Sequence, residues 1–429
     1  MSTFQVILTT IFGFFIIGAL LLFATSKGGN TAQIPAITIW GTVASGPFME
    51  AVNDLNQTIP NKLTITYVEK REQDFDQALT EALASGTGPD AVIFPHTSLI
   101  RQQSRLFVIP PASYSLRAFK DSFIDESGLY LNSAGILALP MSVDPLVMYW
   151  NKDIFSTAGV ASPPKTWDQY FALAQKLTVK DKVGNITQSA VALGEFANIV
   201  NAKDILSALF LQAGTPIVSY NATDDRLQAV LDQSFGQTLP PAEAVLRFYT
   251  EFSNPAKTTY SWNRSQKNSQ TLFIGGDLAV YFGFASELPV IEKKNPNLNF
   301  DVAALPQPLD VKTQVNYGKL TGFGIMKSSQ KIAGVFQVGN LLTSADFVRA
   351  WVTRGGITPA RRDVLSERPA DPSAEVFYKS ALMSRGWPDS DAVASAGVFK
   401  RMVESVTSGQ ERPSEAVSGA TQELQSLIQ

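Results

Sequence analysis

The chain has 429 residues and a mass of 46.5 kDa, which is enough for two or three domains with a sizeable core. Its 35 Lys and Arg against 38 Asp and Glu give a net charge of -3, and the absence of a long basic patch argues against nucleic-acid binding. With no cysteine and one histidine, His96, the composition excludes disulfides, thiolate zinc sites and cysteine nucleophiles, and we expect no metal or cofactor.

The chain begins with a long apolar stretch. No charged side chain precedes Lys27, and residues 4–25 are mainly apolar. Roughly 20 apolar residues span a bilayer, whereas a cleaved signal usually has a basic start and a shorter apolar stretch of about 7–15 residues. We therefore expect a transmembrane helix that anchors the chain to the membrane, with a cleaved signal as the alternative. Residues 1–33 would comprise this segment and a polar linker.

After the linker, the pattern is that of an α/β domain. Apolar or alternating stretches predict strands at 37–40, 63–68 and 91–94. Between them, apolar residues at helical spacing, such as Phe48, Val52 and Leu55, predict helices. This alternation favours a parallel sheet with crossover connections, and ligands bind at the carboxyl ends of the strands in such sheets. The loops after the first and third strands are therefore the first places to look for a site.

Further elements follow in the middle and late parts of the chain. Strand-like residues 137–140 and 146–149 flank the segment 141–144. Thr166 followed by Gln169 has the spacing of a helix N-cap box. Ser328-Ser329 and Thr343-Ser344 each precede an apolar helical pattern, so we expect helices to start there.

Several blocks resemble a known family. Residues 138–144 (ALPMSVD), 148–155 (MYWNKDIF) and 164–168 (PKTWD) are similar in order and spacing to the family 1 extracellular solute-binding proteins. These include the maltose-binding proteins and feed ABC importers. Residues 88–92 and 273–281 resemble further blocks, and the resemblance covers roughly residues 34–429. The lipid-anchoring Cys of many relatives is missing, and the apolar N-terminus takes its place.

The resemblance implies an α/β fold of the two-lobed periplasmic-binding-protein type (type II), in which crossing segments act as a hinge. Lobe one would comprise residues 34–144 and 300–354. Lobe two would comprise residues 145–299 and 355–429.

The resemblance also implies a set of ligand-binding residues in the loops that match those of the family. They are Trp40, Ser45, Phe94, His96, Thr97, Asp144, Glu195, Asn198, Phe284, Ser286, Tyr317 and Trp387. Aromatic rings suit the apolar face of a sugar, and carboxylates and amides suit its hydroxyls. The alternatives are core packing for the aromatic residues, a turn cap for Asp144 and a solvated loop carboxylate for Glu195.

The function that the resemblance implies is non-enzymatic. The chain would be an extracytoplasmic monomer that captures a small molecule, a carbohydrate or similar polar solute, and delivers it to the permease subunits of an ABC importer. The N-terminal helix would tether it to the membrane. A membrane-anchored sensor on the same fold and a glycoside-processing enzyme with two carboxylates are the alternatives.

Overall fold

A computed structural model describes residues 34–221 and 226–428. Within these stretches, no helix combines the length and the apolar character needed to cross a bilayer. The predicted anchor at residues 4–25 lies outside the described residues.

The strands of the described residues are short except for the two that link the lobes. In chain order they are β1 (Ile37–Gly41), β2 (Ile65–Glu69), β3 (Ala91–Pro95), β4 (Leu131–Asn132), β5 (Gly135–Ile136), β6 (Leu139–Asn151), β7 (Val179–Lys180), β8 (Ile186–Val191), β9 (Val218–Asn221), β10 (Arg226–Ala229), β11 (Leu278–Phe284), β12 (Phe300–Ala303), β13 (Asn316–Ile325) and β14 (Ser384–Arg385).

The helices lie between and after these strands. In chain order they are α1 (Ser45–Thr58), α2 (Glu72–Ala84), α3 (Leu99–Gln102), α4 (Leu116–Ser122), α5 (Lys152–Thr157), α6 (Gln169–Leu177), α7 (Ala202–Gln212), α8 (Pro241–Glu251), α9 (Ser269–Ile274), α10 (Leu288–Lys294), α11 (Ile332–Leu342), α12 (Ala345–Gly355), α13 (Arg362–Leu365), α14 (Pro372–Leu382), α15 (Ala392–Thr407) and α16 (Pro413–Ile428).

A ten-stranded sheet runs through the described part of the molecule. Its main order is β2-β1-β3-β13-β6-β11-β8-β7, with β12 paired to β6 and β14 paired to β13. β1 is parallel to both β2 and β3, which confirms the prediction from the strand–helix alternation. The buried face of α1, formed by Phe48, Val52 and Leu55, is also as predicted.

Two long antiparallel strands, β6 and β13, cross between the lobes. The first half of β6 pairs with β13, and its second half, from Leu146 onward, pairs with β11 and β12. Asp144 and Lys319 are opposite one another on the two strands, next to the point where β6 changes partners. The crossing therefore places these two charged residues between the lobes.

Each lobe has its own apolar core. The cores of lobe one draw on residues 37–143 and 320–381, and the core of lobe two draws on residues 146–317 and 377–424. Val302, Leu305 and Tyr317 pack in lobe two, although the sequence-based boundary at residue 300 assigned them to lobe one. Val364 packs in lobe one, although the boundary at 355 assigned it to lobe two. By core packing, the chain returns to lobe one after Tyr317, and α14 contributes to both lobes, with Ala381 in the core of lobe one and Phe377 in that of lobe two.

One predicted helix start is displaced. Thr166 forms an isolated bridge with Gln307, and α6 begins at Gln169. The Gln169 side chain still accepts the backbone N–H groups of Lys165 and Thr166, at 2.7 and 3.4 Å. The glutamine half of the predicted cap is therefore present. The Thr166 side chain does not act as the N-cap, because this residue is bound to another segment.

The two later helix starts have different outcomes. Ser344 caps α12 by accepting a backbone N–H from the first turn, as predicted. The prediction that Ser328 and Ser329 cap a helix is wrong, because α11 begins only at Ile332. The hydroxyl of Ser329 instead donates to the Asp90 carboxylate at 2.7 Å. Ser329 also accepts the backbone N–H of Lys331, the N-cap residue of α11, at 3.2 Å, so its contacts lie just before the helix and not in its first turn.

Candidate functional site

A groove of about 1600 Å³ lies between the lobes. Lobe one contributes His96, the start of α3 and the β4–β5 hairpin. Lobe two contributes the β9–β10 hairpin, Trp387 with Pro388, and the end of α16. The lining of the groove includes two of the predicted ligand-binding residues, His96 and Trp387. The groove receives residues from both lobes, as a solute-binding site between two lobes requires.

His96 is a neutral hydrogen-bond donor at the groove wall. It is only 2% exposed, and its Nδ1 accepts the backbone N–H of Leu320 at 3.1 Å. Burial, together with the charges of Lys203 and Lys319, lowers the pKa of His96 to about 3. The neutral ring that accepts at Nδ1 carries its proton on Nε2, which has no partner among the described residues. The Nε2 atom is itself buried, next to Gly386.

Trp387 is held rigidly beside His96. It is 3% exposed, its Nε1 donates to the Ser207 hydroxyl at 3.1 Å, and its ring stacks on Phe399 at 6.2 Å with an interplanar angle of 11°. Lys203 lies 5.3 Å from the ring centroid and forms an ion pair with Asp389. The ring is therefore a fixed part of the groove wall, packed against Phe399 and Lys203.

Behind the groove, two predicted aromatic residues pack where the crossing strand β13 meets lobe two. Tyr317 lies 6.3 Å from the ring of His96 and also 6.3 Å from the ring of Phe284. Lys319 lies 4.0 Å from the Phe284 ring centroid and 3.7 Å from the Asp204 carboxylate. Tyr317 and Phe284 are both buried, so they support the site from behind and do not line the groove.

Asp144 joins a crossing strand to lobe two. Its carboxylate accepts the backbone N–H of Ser286 at 3.0 Å and the Ser286 hydroxyl at 2.6 Å. Burial raises the pKa of Asp144 to about 6, against the effect of these two hydrogen bonds, which favour the ionised form. A second link comes from Arg101 in lobe one, which donates to the carbonyl of Ser390 at 2.9 Å. The described contacts therefore link the two lobes at two separate places.

Four predicted residues of lobe one lie outside the groove lining. Trp40 packs against the core and stacks under Lys70, whose Nζ lies 4.1 Å from the ring centroid. The Ser45 backbone N–H donates to Glu69 at 2.9 Å. Phe94 is completely buried in the core, as the packing alternative proposed, and Thr97 is buried in the turn after β3.

The predicted residues after β8 brace loops of lobe two. The Asn198 side chain donates to the carbonyls of Asn263 and Gln266 and accepts from Trp262, so its hydrogen-bonding groups are occupied. Glu195 accepts from Arg264 at 2.9 Å, and burial raises its pKa. Both contacts stabilise the loop, and neither residue lines the groove.

The sequence-based set omitted several charged residues near the site. They are Glu126, Lys203, Asp204, Lys319 and Asp389. Glu126 is buried with both carboxylate oxygens unpartnered among the described residues, and burial raises its pKa well above the usual value. Two signals were visible in the sequence: adjacent charges at the start of α7, and an aspartate two residues after Trp387. Among the described residues, no cluster of three or more acidic or histidine side chains could hold a metal ion.

The sequence and fold have clear relatives. A family model of the bacterial extracellular solute-binding proteins matches residues 41–348. The chain belongs to this family. It is therefore a solute-binding protein and not an enzyme, and such proteins serve ABC importers outside the cytoplasm.

Individual relatives are distant but cover most of the chain. A binding protein of Brucella abortus is 20% identical over 81% of this chain and 81% of its own length. The sn-glycerol-3-phosphate-binding periplasmic protein UgpB of Yersinia pestis is 23% identical over 77% of this chain and 75% of its own. The cyclic alpha-maltosyl-1,6-maltose binding protein of Arthrobacter globiformis has a TM-score of 0.75 and 16% identity, covering 92% of this chain and 99% of its own. This structural likeness shows a shared two-lobed fold.

Proposed function

We propose that this solute-binding protein captures a carbohydrate or a similar polar solute in the groove between its lobes. The observation that carries the proposal is a groove between the lobes that is bordered by the neutral imidazole of His96 from lobe one and by the fixed aromatic ring of Trp387 from lobe two. An aromatic face suits the C–H surface of a sugar ring, and an imidazole N–H suits a hydroxyl oxygen. Two of the relatives are named as binding proteins for a maltose oligomer and for glycerol-3-phosphate. These names support a carbohydrate or similar polar solute as the ligand.

A thermal-shift screen of sugars, polyols and sugar phosphates tests this proposal. A solute that binds only the folded protein raises the melting temperature, because it stabilises the folded state by RT ln(1 + [L]/Kd). We expect at least one sugar or sugar derivative to raise the melting temperature at millimolar concentration, while free amino acids do not. A screen in which no carbohydrate stabilises the protein, or in which only amino acids do, would overturn the proposal.

We also propose that the apolar segment at residues 4–25 holds the protein at the outer face of the membrane. The support is the length of this segment, the absence of charge before Lys27 and the lack of a cysteine for lipid attachment. Expression of the full chain and of a chain starting at residue 34, followed by carbonate extraction of membranes, tests the anchor. The full chain should stay in the membrane pellet. A full chain released to the supernatant, or shortened by about 25 residues, would instead indicate a cleaved signal.

A further inference from the structure

A carboxyl group is enclosed where the two lobes join. Glu126 lies between Ile124 and Tyr130, which pack in the core of lobe one, and it is only 2% exposed. Neither of its side-chain oxygens has a hydrogen-bond partner among the described residues. A buried carboxylate without partners is an uncompensated charge, so burial favours the neutral acid and raises the pKa of Glu126 well above its usual value.

Two glycines leave room for this carboxyl group. A Cβ atom at Gly318 of β13 would lie 2.8 Å from Oε2 of Glu126, and a Cβ atom at Gly386 would lie 2.8 Å from Oε1. The Cβ atom at Gly386 would also lie 2.9 Å from Nε2 of His96. Neither glycine has the positive φ that favours glycine in turns. The close approach of neighbouring side chains, Glu126 among them, is therefore what excludes a larger residue at both positions.

Both glycines lie in segments that run between the lobes. Tyr317 packs in the core of lobe two and Leu320 in that of lobe one, so the first glycine is at the crossing itself. The second glycine precedes Trp387, which packs in lobe two, and follows β14, which is paired with β13. A rotation of one lobe against the other about these segments changes the two contacts that enclose Glu126.

The charged neighbours of this carboxyl group are bound to other residues or face solvent. The titratable side chains of its own segment and of the strands packed against it are Asp125, Tyr130, Asp144, Tyr317, Lys319 and Arg385. The charge of Arg385 opposes the rise in pKa, but Arg385 and Arg362 are both bound to Asp125. Lys319 forms its ion pair with Asp204. The charged residues of α4, which also packs here, are all exposed: Arg117, Lys120 and Asp121.

We propose that Glu126 is a proton-dependent latch on lobe closure: the neutral acid is retained while both crossing segments pack on it, and its ionisation favours separated lobes. Closure then takes up one proton on a side-chain oxygen of Glu126, and opening releases that proton to solvent. Above the pKa of the separated form and below that of the closed form, the ratio of closed to separated molecules falls tenfold per pH unit. The latch does not depend on which solute binds, so a failure of carbohydrate binding leaves it intact.

A window from pH 7 to pH 9 isolates the titration of Glu126. The pKa of His96 is lowered by burial to about 3 and is about 6.5 in an unfolded chain, so its ring is neutral throughout the window. Asp144, with its pKa raised by burial to about 6, is ionised. Burial raises the pKa of Tyr130 and of Tyr317 well above the usual value of about 10, so both phenols keep their protons.

Distance measurements between two spin labels by electron paramagnetic resonance test the latch. The chain has no cysteine, so Ser133→Cys in lobe one and Ser426→Cys on α16 of lobe two direct the labels to two exposed positions beside the groove. In the full-length protein with native Glu126, we expect the distances to shift to longer values as the pH rises from 7 to 9. With Glu126→Gln added, the amide cannot ionise, and the distances should be the same at both pH values.

The matched control is Glu195→Gln in the same labelled protein. Glu195 is also a buried carboxyl group with a raised pKa, but it is bound to Arg264 in lobe two and touches neither glycine. This variant should keep the full response to pH. As an independent readout, the infrared difference spectrum between the unlabelled wild type and Glu126→Gln at pH 7 should contain the C=O stretching band of one neutral carboxylic acid.

Three results would overturn the latch. The first is a set of label distances that does not change between pH 7 and pH 9 while Glu126 is present. The second is an equal change in the presence of Glu126→Gln, or an equal loss of the change in Glu195→Gln. The third is an infrared difference spectrum without the neutral-acid band, because Glu126 would then be ionised at pH 7.

Discussion

At the scale of single residues, the titration of His96 at the groove wall makes the stability of the folded protein depend on pH. Its pKa is about 3 in the folded protein and about 6.5 in the unfolded chain, so the unfolded state binds the extra proton between these values. The stability that depends on neutral His96 is therefore complete above about pH 6.5 and is lost as the pH falls towards 3. The chain has no other histidine, so this contribution can be isolated by one substitution.

We predict that the His96→Phe variant has a flatter stability profile than the wild type. Urea unfolding at pH 7 and pH 5 should show a larger loss of unfolding free energy on acidification in the wild type. The contribution of Asp144 to the free energy of unfolding has the opposite pH dependence. Because its pKa is raised to about 6, this contribution falls as the pH rises from about 4 to 6. Asp144→Asn should therefore steepen the acid loss and is the control. Parallel profiles for His96→Phe and the wild type would contradict the expected titration.

At the scale of secondary-structure elements, the crossing strand β13 is tied to α7 by Lys319 and Asp204. The two charged groups are 3.7 Å apart, and the Asp204 side chain is only 13% exposed. Ion pairs that are shielded from water interact more strongly than exposed ones. We therefore expect this pair to contribute measurably to the docking of lobe two on the crossing strand.

A double-mutant cycle with Lys319→Gln and Asp204→Asn measures that contribution. We predict a coupling energy of about 0.5–1 kcal/mol in the free energy of unfolding. Arg117 and Asp121 provide the matched control, because they are also 3.7 Å apart but are 93% and 72% exposed on α4. Their coupling should be close to zero. A Lys319–Asp204 coupling no larger than this control would contradict the expected role.

The local sequence predicted helices and strands well where one face of the element is buried. It predicted them poorly where contacts with distant segments determine where the element begins and ends. The apolar spacing in α1 and the strand positions β1 and β3 follow from side-chain periodicity alone. The strand β6 was expected as two pieces around residues 141–144, but it is continuous from Leu139 to Asn151. Pro145 is tolerated in it because it lies at the point where the strand changes partners, where a ladder hydrogen bond is not required.

At the scale of the whole molecule, family resemblance predicted the two-lobed fold and two of the groove residues. It could not tell which aromatic residues face the groove, because β3 is buried along its whole length and Phe94 gives no periodicity signal. It also could not place Asn132, Arg226 and Gln425 together. These residues are far apart in the chain and line one groove only in the folded protein.

The proposed function places a saccharide between the lobes, against Trp387. The most direct test is calorimetric titration of the wild type, Trp387→Leu and Trp150→Leu with the sugar that gives the largest thermal shift. Trp150 is a partly buried tryptophan of lobe two outside the groove lining, so the same substitution there controls for lost stability. We predict that Trp387→Leu raises Kd at least tenfold, about 1.4 kcal/mol or more, while Trp150→Leu leaves Kd unchanged. An unchanged Kd in Trp387→Leu would contradict the claim.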